Sequence, residues 1–521
     1  MGTTPATDVL IVGAGPVGLV AACELARRGI GVRIVDKLTA PTDESRAIAI
    51  HARSLDMFAR MGIVDRLVAT GVRSTGMKML SNDSELFEVG FSGVDSAFPF
   101  SLLTPQTETE RVLGERLEEL GLAVERGVEL VGLIQGDESV RATLRCADGA
   151  EETLDATWLI GADGAHSTVR HQVGTRLQGS FKGERFILGD CDAESDLSDD
   201  SMYTIFAPEG PVVTMPMRDG RHRLMAQIRE PEGTPLNLHP TQDDLQRILD
   251  ERVGRIRITN SHWLTCFEIH HGQVPEYRYG RVFLVGDAAH IHSPAGGQGM
   301  NTGMQDAFNL AWKLAMAVRG DGGPTLLDSY HAERHPVAEK VIDFSSALTK
   351  AGTVSGGARV VRNAVLKVLG NIPTVSNRLA GIVEEIGIGY ENSPAVLDRH
   401  PRHCKVVAGQ HLPHVDNAEL QKQLMSSCSG DNTGHTILVV TADRPAPAAG
   451  PAGQRQVLIT ADDSPVGGYD TVVADPAGHL ANRLGLRGGG RVVVRPDGYI
   501  GAVTAIDDST GIADYFDRIA R

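Results

Sequence analysis

Residues 8–36, DVLIVGAGPVGLVAACELARRGIGVRIVD, constrain the fold more than any other stretch. DVLIVG has the continuous apolar character of a buried strand, and it runs directly into Gly13-Ala14-Gly15-Pro16-Val17-Gly18. The pattern predicts a helix over 16–28 and a second, parallel strand over 32–36, a β-α-β unit. In such a unit the backbone amides of the glycine turn and the helix N-terminus face a pyrophosphate. Asp36, 18 residues after Gly18, ends the second strand, where a carboxylate accepts from both ribose hydroxyls of an adenosine. Gly13, Gly15, Pro16, Gly18 and Asp36 are therefore expected to hold a dinucleotide, and the unit alone leaves open which one.

The rest of the chain extends this α/β beginning. Helical patterns fall at roughly 50–61 and 107–121, and short strands near 128–161 are expected to widen the first sheet. From about 180 to 275 the pattern changes to short alternating strands broken by Gly and Pro, which predicts an inserted antiparallel sheet. RVFLVGD (281–287) returns to a buried parallel strand. The helix after it has Met304, Phe308, Ala311, Trp312, Ala315 and Val318 recurring on one face, and another helix follows over 324–348. A looser segment, 352–402, leads to a small α/β domain that closes with a helix near 509–520. The expected division is 1–179 and 276–402 for the dinucleotide domain, 180–275 for the inserted sheet and 403–521 for the last domain.

Sixty-six acidic residues against 50 basic ones give a formal charge of −16, which argues against a nucleic-acid partner. Six cysteines without CxxC or zinc spacing read as reduced thiols. No apolar run approaches about 18 residues and the N-terminus has no charged leader, so a cytoplasmic protein without a membrane partner is expected.

Two later stretches bear on the dinucleotide. LIGADGAHSTVR (159–170) places Asp163-Gly164 after a strand, with Arg170 on the helix that follows, and LVGDAAHIHSP (284–294) places Gly286-Asp287 after another. With SRAIAIHARSLDMFARMGI (45–63) and LLTPQTETERVL (102–113), these ordered motifs resemble the FAD-dependent aromatic hydroxylases of the para-hydroxybenzoate hydroxylase type. The resemblance spans about residues 5–350, and the last domain is similar to the thioredoxin-like tail of the phenol and polyketide hydroxylase branch. It implies a Rossmann-like FAD-binding domain with an inserted antiparallel β-sheet substrate domain and a thioredoxin-like C-terminal domain. It also implies a monooxygenase that uses NADPH or NADH and O2 to hydroxylate a phenolic or polycyclic aromatic through a flavin C4a-hydroperoxide. A homodimer is among the assemblies it allows. Rival readings are Baeyer-Villiger insertion or epoxidation on the same fold, a flavin-binding redox or assembly module, and an NAD-dependent dehydrogenase. The last leaves the Asp163 and Asp287 motifs unexplained.

The resemblance also assigns residues. Asp287 is expected to accept from a ribityl hydroxyl, and the turn Gly296-Gly297-Gln298-Gly299 to let main chain approach a flat ring. The amides of Gly299, Met300 and Asn301 begin a helix whose positive end can stabilise charge on reduced flavin. Met300 and Asn301 lie nearest that edge by resemblance, and Pro294, Arg46 and Asn301 are the residues expected closest to the chemistry. Arg46 and Gln106 match cofactor-binding positions, Arg111 is a phosphate partner or a helix charge, and Asp163 orients the phosphate region and the nicotinamide partner. Tyr203, Met215 and Met217 are expected to line the aromatic substrate, and His51, Tyr203, His270 and His271 are candidates to hold a phenolic proton. Gly272 stands where many members carry an arginine. Asp287, His290 and His292 have metal-ligand chemistry, but the two histidines lie in a turn with no further ligand suitably spaced, so no metal is expected.

Overall fold

A computed structural model of the chain describes residues 7–81, 84–228, 235, 237–293, 296–353, 357–370, 372–427, 433–441, 447–448 and 454–521. Strand Thr7–Val12, helix Pro16–Ala26 and strand Val32–Asp36 form the expected β-α-β unit. Thr7–Val12 lies between two parallel neighbours, Val32–Asp36 and Glu151–Gly161, and Val282–Leu284 adds in parallel to the latter. The hairpin Val128–Gln135/Val140–Cys146 extends Glu151–Gly161 antiparallel, as the short strands near 128–161 suggest. Strands buried on both faces explain the near-continuous apolar runs.

The second sheet runs in the order His290–Ile291, Ile256–Gln273, Gln178–Ser195, Arg221–Ile228, Gly210–Pro216, Ser201–Ala207, Gly76–Ser81, Ser84–Gly90. It is not confined to 180–275. Gly76–Ser81 pairs parallel with Ser201–Ala207, and Ser84–Gly90 follows it as a hairpin. Helix Gln242–Arg252 covers one face through Leu245, Ile248 and Leu249, which meet Ile187, Val212, Leu224 and Ala226.

The looser segment carries two helices, Gly357–Gly370 and Pro373–Val383. The last sheet is mixed and ordered Leu397–Arg399, Ile500–Ala505, Gly490–Val494, Thr436–Val440, Arg455–Thr460, Thr471–Ala474, so it begins before residue 403. Alternation sorts its strands: Ile437, Val439 and Val493 meet helix Gly511–Ala520, while Leu438, Val440 and Val492 meet Leu420, Leu480 and Leu484.

Helix Gly299–Arg319 is buried at every position from Asn301 to Ala315, not along one stripe. It passes between helix Pro16–Ala26 and the C-terminal domain, where Trp312 joins the core formed by Ile437, Val493 and Tyr515. No helix among the described residues is long and apolar enough to cross a membrane.

Candidate functional site

Gly13 takes φ +103°, and a Cβ there would stand 2.4 Å from the Ala162 carbonyl oxygen and 2.9 Å from Asp163 Cα. Glycine at this point lets the first and second motifs touch. A Cβ on Gly18 would lie 1.9 Å from the Gly13 oxygen, so that glycine seats the helix on the turn. Gly15 differs, since its Cβ would meet nothing within 4 Å. It is the N-cap of Pro16–Ala26 without any side-chain cap, and the helix amides face an open surface suited to a phosphate. Asp36 accepts from Ala14 N–H at 2.7 Å and Leu38 N–H at 2.8 Å, with the Arg126 guanidinium at 3.6 Å. A carboxylate so fixed retains lone pairs for ribose hydroxyls.

Gln106 starts helix Gln106–Glu119 and ties it to the 45–47 loop: its Oε1 accepts from Ala47 N–H at 3.3 Å, and its Nε2 donates to Glu110 at 2.8 Å. Burial pushes the Glu110 carboxyl up. Arg111 pairs with Glu108 and Glu115 on the same helix, the arrangement of a surface charge. The Arg46 side chain is 80% exposed and pairs with Glu44 at 3.1 Å. Its carbonyl accepts from Arg223 at 3.0 Å, and Arg223, buried in the second sheet, holds Asp190 through two 2.7 Å contacts.

Asp163 accepts from Ser167 Oγ at 2.5 Å and Val169 N–H at 3.0 Å, closing the start of helix Thr168–Gln172, and burial pushes its carboxyl up. Arg170 on that helix donates to the Asp287 and Ala288 carbonyls at 3.4 and 3.1 Å, joining the second motif to the third. Asp287 is accessible to solvent from a deep position flanked by protein. That mass raises its carboxyl, opposed by His290, Arg46 and Arg170, and the access of water limits the rise.

The turn Gly296–Gly299 bends through φ +91° at Gly296 and +67° at Gly297, then enters helix Gly299–Arg319 with no side-chain cap. A Cβ on Gly297 would be 3.2 Å from Ala49 Cβ and 3.5 Å from His51 Nε2. Met300 is half-buried against the main core. The Asn301 side chain is fully buried: it donates to the Ala49 and Gly297 carbonyls at 2.9 Å each and accepts from His51 N–H at 3.0 Å. Asn301 is thus a staple for the turn. Pro294 lies outside the described residues. Beneath the turn, Gln298 donates to the Ile382 carbonyl at 2.8 Å, Glu384 accepts from Ala52 N–H at 2.6 Å, and Glu385 accepts from Thr302 and Gln305 at 2.9 and 2.5 Å. Glu384 and Glu385 escaped the sequence reading. The only signal was two acids beside the apolar run IGIGY, in a segment without a motif.

His290 Nε2 is 2.7 Å from Asp306, which also accepts from Gly286 N–H at 3.1 Å and from Arg334 at 2.6 Å. This buried set braces the strand end that carries Asp287. His292 stacks on His290 with ring centroids 6.3 Å apart, and its Nδ1 is 2.9 Å from the Ser293 carbonyl. Burial, with His290 adding, pushes the His292 imidazole down to about 4. Both histidines are in place as packing and hydrogen-bonding groups of this turn.

Strand register separates the expected substrate residues. Thr204 is opposite Val213, Val213 opposite Met225, and Met225 opposite Leu188, so these share a face with Met202, Phe206 and Met215. Phe186, stacked on Phe267 at 6.0 Å, continues it. Met77, Met79, Met202, Met215, Met217 and Phe87 form one cluster with Ile48 and Ala49, next to the Gly297 turn. Tyr203 alternates to the opposite face with Leu80 and Ile205, and its hydroxyl accepts from Ser198 N–H at 3.0 Å. The assignment of Tyr203 to the same lining as the methionines fails because adjacent strand residues point to opposite sides. Gly272 pairs with Ile291, and a Cβ on Gly179 would lie 2.6 Å from its Cα.

A glycine turn under an uncapped helix, an acid at the end of the next strand and a second uncapped helix over a glycine-rich turn define a protein built to hold a dinucleotide cofactor. Residues 6–345 match the family model described as FAD binding domain, and residues 461–521 match the C-terminal dimerisation domain of phenol hydroxylase. The 6-methylpretetramide 4-monooxygenase of Streptomyces rimosus is 34% identical, over 95% of this chain and 90% of that one. Pentachlorophenol 4-monooxygenase of Sphingobium chlorophenolicum is 33% identical, over 96% and 94%. Among solved structures, the OxyS anhydrotetracycline hydroxylase from Streptomyces rimosus superposes with a TM-score of 0.74 at 26% identity, over 99% of each chain. The chain belongs to this FAD-binding family, that of the flavin-dependent aromatic hydroxylases.

Proposed function

We propose that the chain hydroxylates a phenolic or polycyclic aromatic with O2, drawing electrons from NADPH or NADH through FAD. The observation that carries this reading is the continuity of the methionine-rich sheet face with Ala49, whose Cβ abuts the Gly297 turn. Methionines give an adaptable apolar wall for a planar ring system, and this wall leads to the turn that suits a flavin. Similarity to proteins named for pentachlorophenol and 6-methylpretetramide supports the substrate class.

In this reading Gly13, Gly15, Pro16, Gly18 and Asp36 hold the adenosine and pyrophosphate end. Asp287 takes the ribityl chain, and the amides of Gly299, Met300 and Asn301 stabilise negative charge on the reduced ring. Bound FAD supplies hydride acceptance and dioxygen activation, while the protein orients the substrate and excludes water. Gln106 and Asp163 shape the cofactor site through the loop and helix they pin, and Arg46 sits where a mobile side chain can meet the cofactor. Similarity of residues 461–521 to a dimerisation domain supports a homodimer.

The sequence has one GxGxxG unit, so the nicotinamide must reach a flavin held for another purpose. Substrate binding is therefore expected to favour the reducible arrangement, and a tenfold rate effect needs about 1.4 kcal/mol of differential binding. The test is anaerobic flavin reduction by stopped flow, with and without a phenol whose hydroxylated product mass spectrometry has confirmed. Faster reduction with substrate is expected. Equal rates would refute the gating, and no oxygenated product from any phenol or polyketide aromatic would refute the hydroxylase reading.

A further inference from the structure

His51, Ser101 and Glu384 lie beneath the Gly296–Gly299 turn, all 1% exposed or less. His51 Nε2 is 2.9 Å from the Gly296 carbonyl oxygen. A carbonyl only accepts, so Nε2 carries a proton. On the other side of the ring, Nδ1 is 3.0 Å from Ser101 Oγ, and that Oγ is 2.5 Å from Glu384 Oε1. A hydroxyl has one proton to give. If Ser101 gives it to Glu384, Nδ1 must donate to Ser101, and the set is an imidazolium beside a carboxylate. If Ser101 gives it to Nδ1, Glu384 must be protonated and donate to Ser101. Both arrangements hold the same number of protons, one more than a neutral histidine beside an ionised glutamate. Removing that proton leaves one of the two contacts without a hydrogen.

We infer that His51 and Glu384 share one buried proton through Ser101, and that this proton positions the Gly296–Gly299 turn for the cofactor. The inference rests on the reading of that turn as the flavin's. It makes His51 a positioning residue, acting through the Gly296 carbonyl. Among the described residues the groups that face the set are few. Glu384 and Glu385 follow helix Pro373–Val383, and Glu385 is held at φ +58° by Thr302 and Gln305. Arg53 of helix Ala52–Met61 has its side chain on Asp56 and the Ile386 carbonyl. Arg334 acts on Glu385 from helix Pro324–Thr353, where it pairs with Asp306 of helix Gly299–Arg319. His292 lies against Gly299. Strand Ser101–Leu103 carries no charged side chain.

Burial alone disfavours an imidazolium, but the Glu384 contact and charge, with Glu385, outweigh it and raise His51 above its ordinary value. The stabilisation is therefore complete below about pH 6.5 and is lost as pH rises through the raised value. The experiment follows FAD release from the holoenzyme by flavin fluorescence across pH, in wild type, Glu384→Gln and Ser101→Ala. Wild type is expected to hold FAD evenly through neutral pH and to weaken by about tenfold or more only on the alkaline side. Glu384→Gln removes the anion that keeps the proton, and the weakening is expected at least about one pH unit lower. Ser101→Ala breaks the bridge and is expected to shift the same way, which keeps the test open if Glu384→Gln does not fold. Wild-type and variant profiles that coincide would overturn the shared proton alone. A wild type that binds no FAD at any pH would overturn the flavin reading and the inference with it.

Discussion

Asp36 and Asp287 differ in what else depends on them. Among the described residues the Asp287 side chain makes no hydrogen bond, only its carbonyl accepting from Arg170, so Asp287→Ala should subtract cofactor affinity alone. Loss of a charge-assisted hydrogen bond costs about 1.5–3 kcal/mol, or one to two decades in affinity. The variant is expected to purify largely colourless, to regain the flavin spectrum with added FAD and to unfold near the wild-type apoprotein temperature. Asp36 also anchors the Ala14 and Leu38 amides, so Asp36→Ala should lower that temperature as well. A like contrast separates Arg46 from Arg223. Arg46→Ala removes an exposed side chain and is expected to slow flavin reduction more than it weakens FAD binding. Arg223→Ala strands the buried Asp190 carboxylate, an error of about 3–5 kcal/mol that calorimetry would read as a large loss of stability. Equal stability of the two variants would contradict this division of roles.

The close approach of elements is legible at their glycines. Val17 of helix Pro16–Ala26, Gly286 and Gly303 meet at one point, where a Cβ on Gly303 would be 2.9 Å from Val17 Cγ2 and 3.0 Å from Gly286 Cα. Gly303→Ala has no room against backbone and is expected to cost about 1–3 kcal/mol and to reduce FAD content. Gly114 sits mid-helix with nothing within 4 Å of its Cβ, so Gly114→Ala should be neutral or stabilising by up to about 1 kcal/mol. Thermal unfolding of the pair checks whether packing, not helix propensity, sets the effect. Periodicity and motif order were enough to place the β-α-β unit, the Asp163 and Asp287 turns and the helix at 299–319, because each couples a buried strand to a glycine turn. They did not place Gly76–Ser81 and Ser84–Gly90 in the second sheet, since a strand recruited from a distant segment carries no local mark of its partner. Nor did they mark Glu384 and Glu385, whose role comes from tertiary contact with the 296–302 segment. Tyr203 was misassigned for a simpler reason: nearness in sequence to Met202 puts it on the other side of the sheet.

At the scale of the whole molecule the C-terminal domain is joined to the FAD domain by buried charge. Glu333 on helix Pro324–Thr353 accepts from Arg495 at 2.7 and 2.8 Å, from Lys313 at 2.7 Å, from Asn309 at 2.7 Å and from Ser393 at 2.6 Å. Asp497 accepts from Arg495 and from the Trp312 indole at 3.0 Å, so two cations and two anions close the set between helices 299–319 and 324–353 and the last domain. Of the domain's two cysteines, Cys404 donates to the Val406 and Leu484 carbonyls and burial pushes its thiol up, while Cys428 lies outside the described residues. A thiol of that kind is a poor nucleophile, and hydroxylation should survive Cys404→Ser. The ionic set is where the domain should be vulnerable. Burial opposes the Glu333 charge, but Arg495 and Lys313 overcome it and hold the carboxyl far below the usual range, while burial pushes the Lys313 amine down to about 8. A depressed carboxyl stabilises the fold fully above its unfolded value of about 4.3, and that contribution is lost as pH falls below it. The depressed lysine has a slope of the same sign, with stability again rising as pH climbs from about 8 towards 10.4. Glu333→Gln leaves two buried cations facing one anion and is expected to cost about 3–5 kcal/mol at neutral pH. The gap between wild type and variant should then narrow as pH is lowered from about 5 to 3, because the unfolded wild type takes up a proton there that the folded carboxylate resists, and the variant has no such proton to bind. Chemical denaturation followed by tryptophan fluorescence reads this directly, since Trp312 reports on the interface. A gap that stays constant down to low pH would show that Glu333 acts there by shape and hydrogen bonding, with its charge contributing nothing to the docking of the two domains.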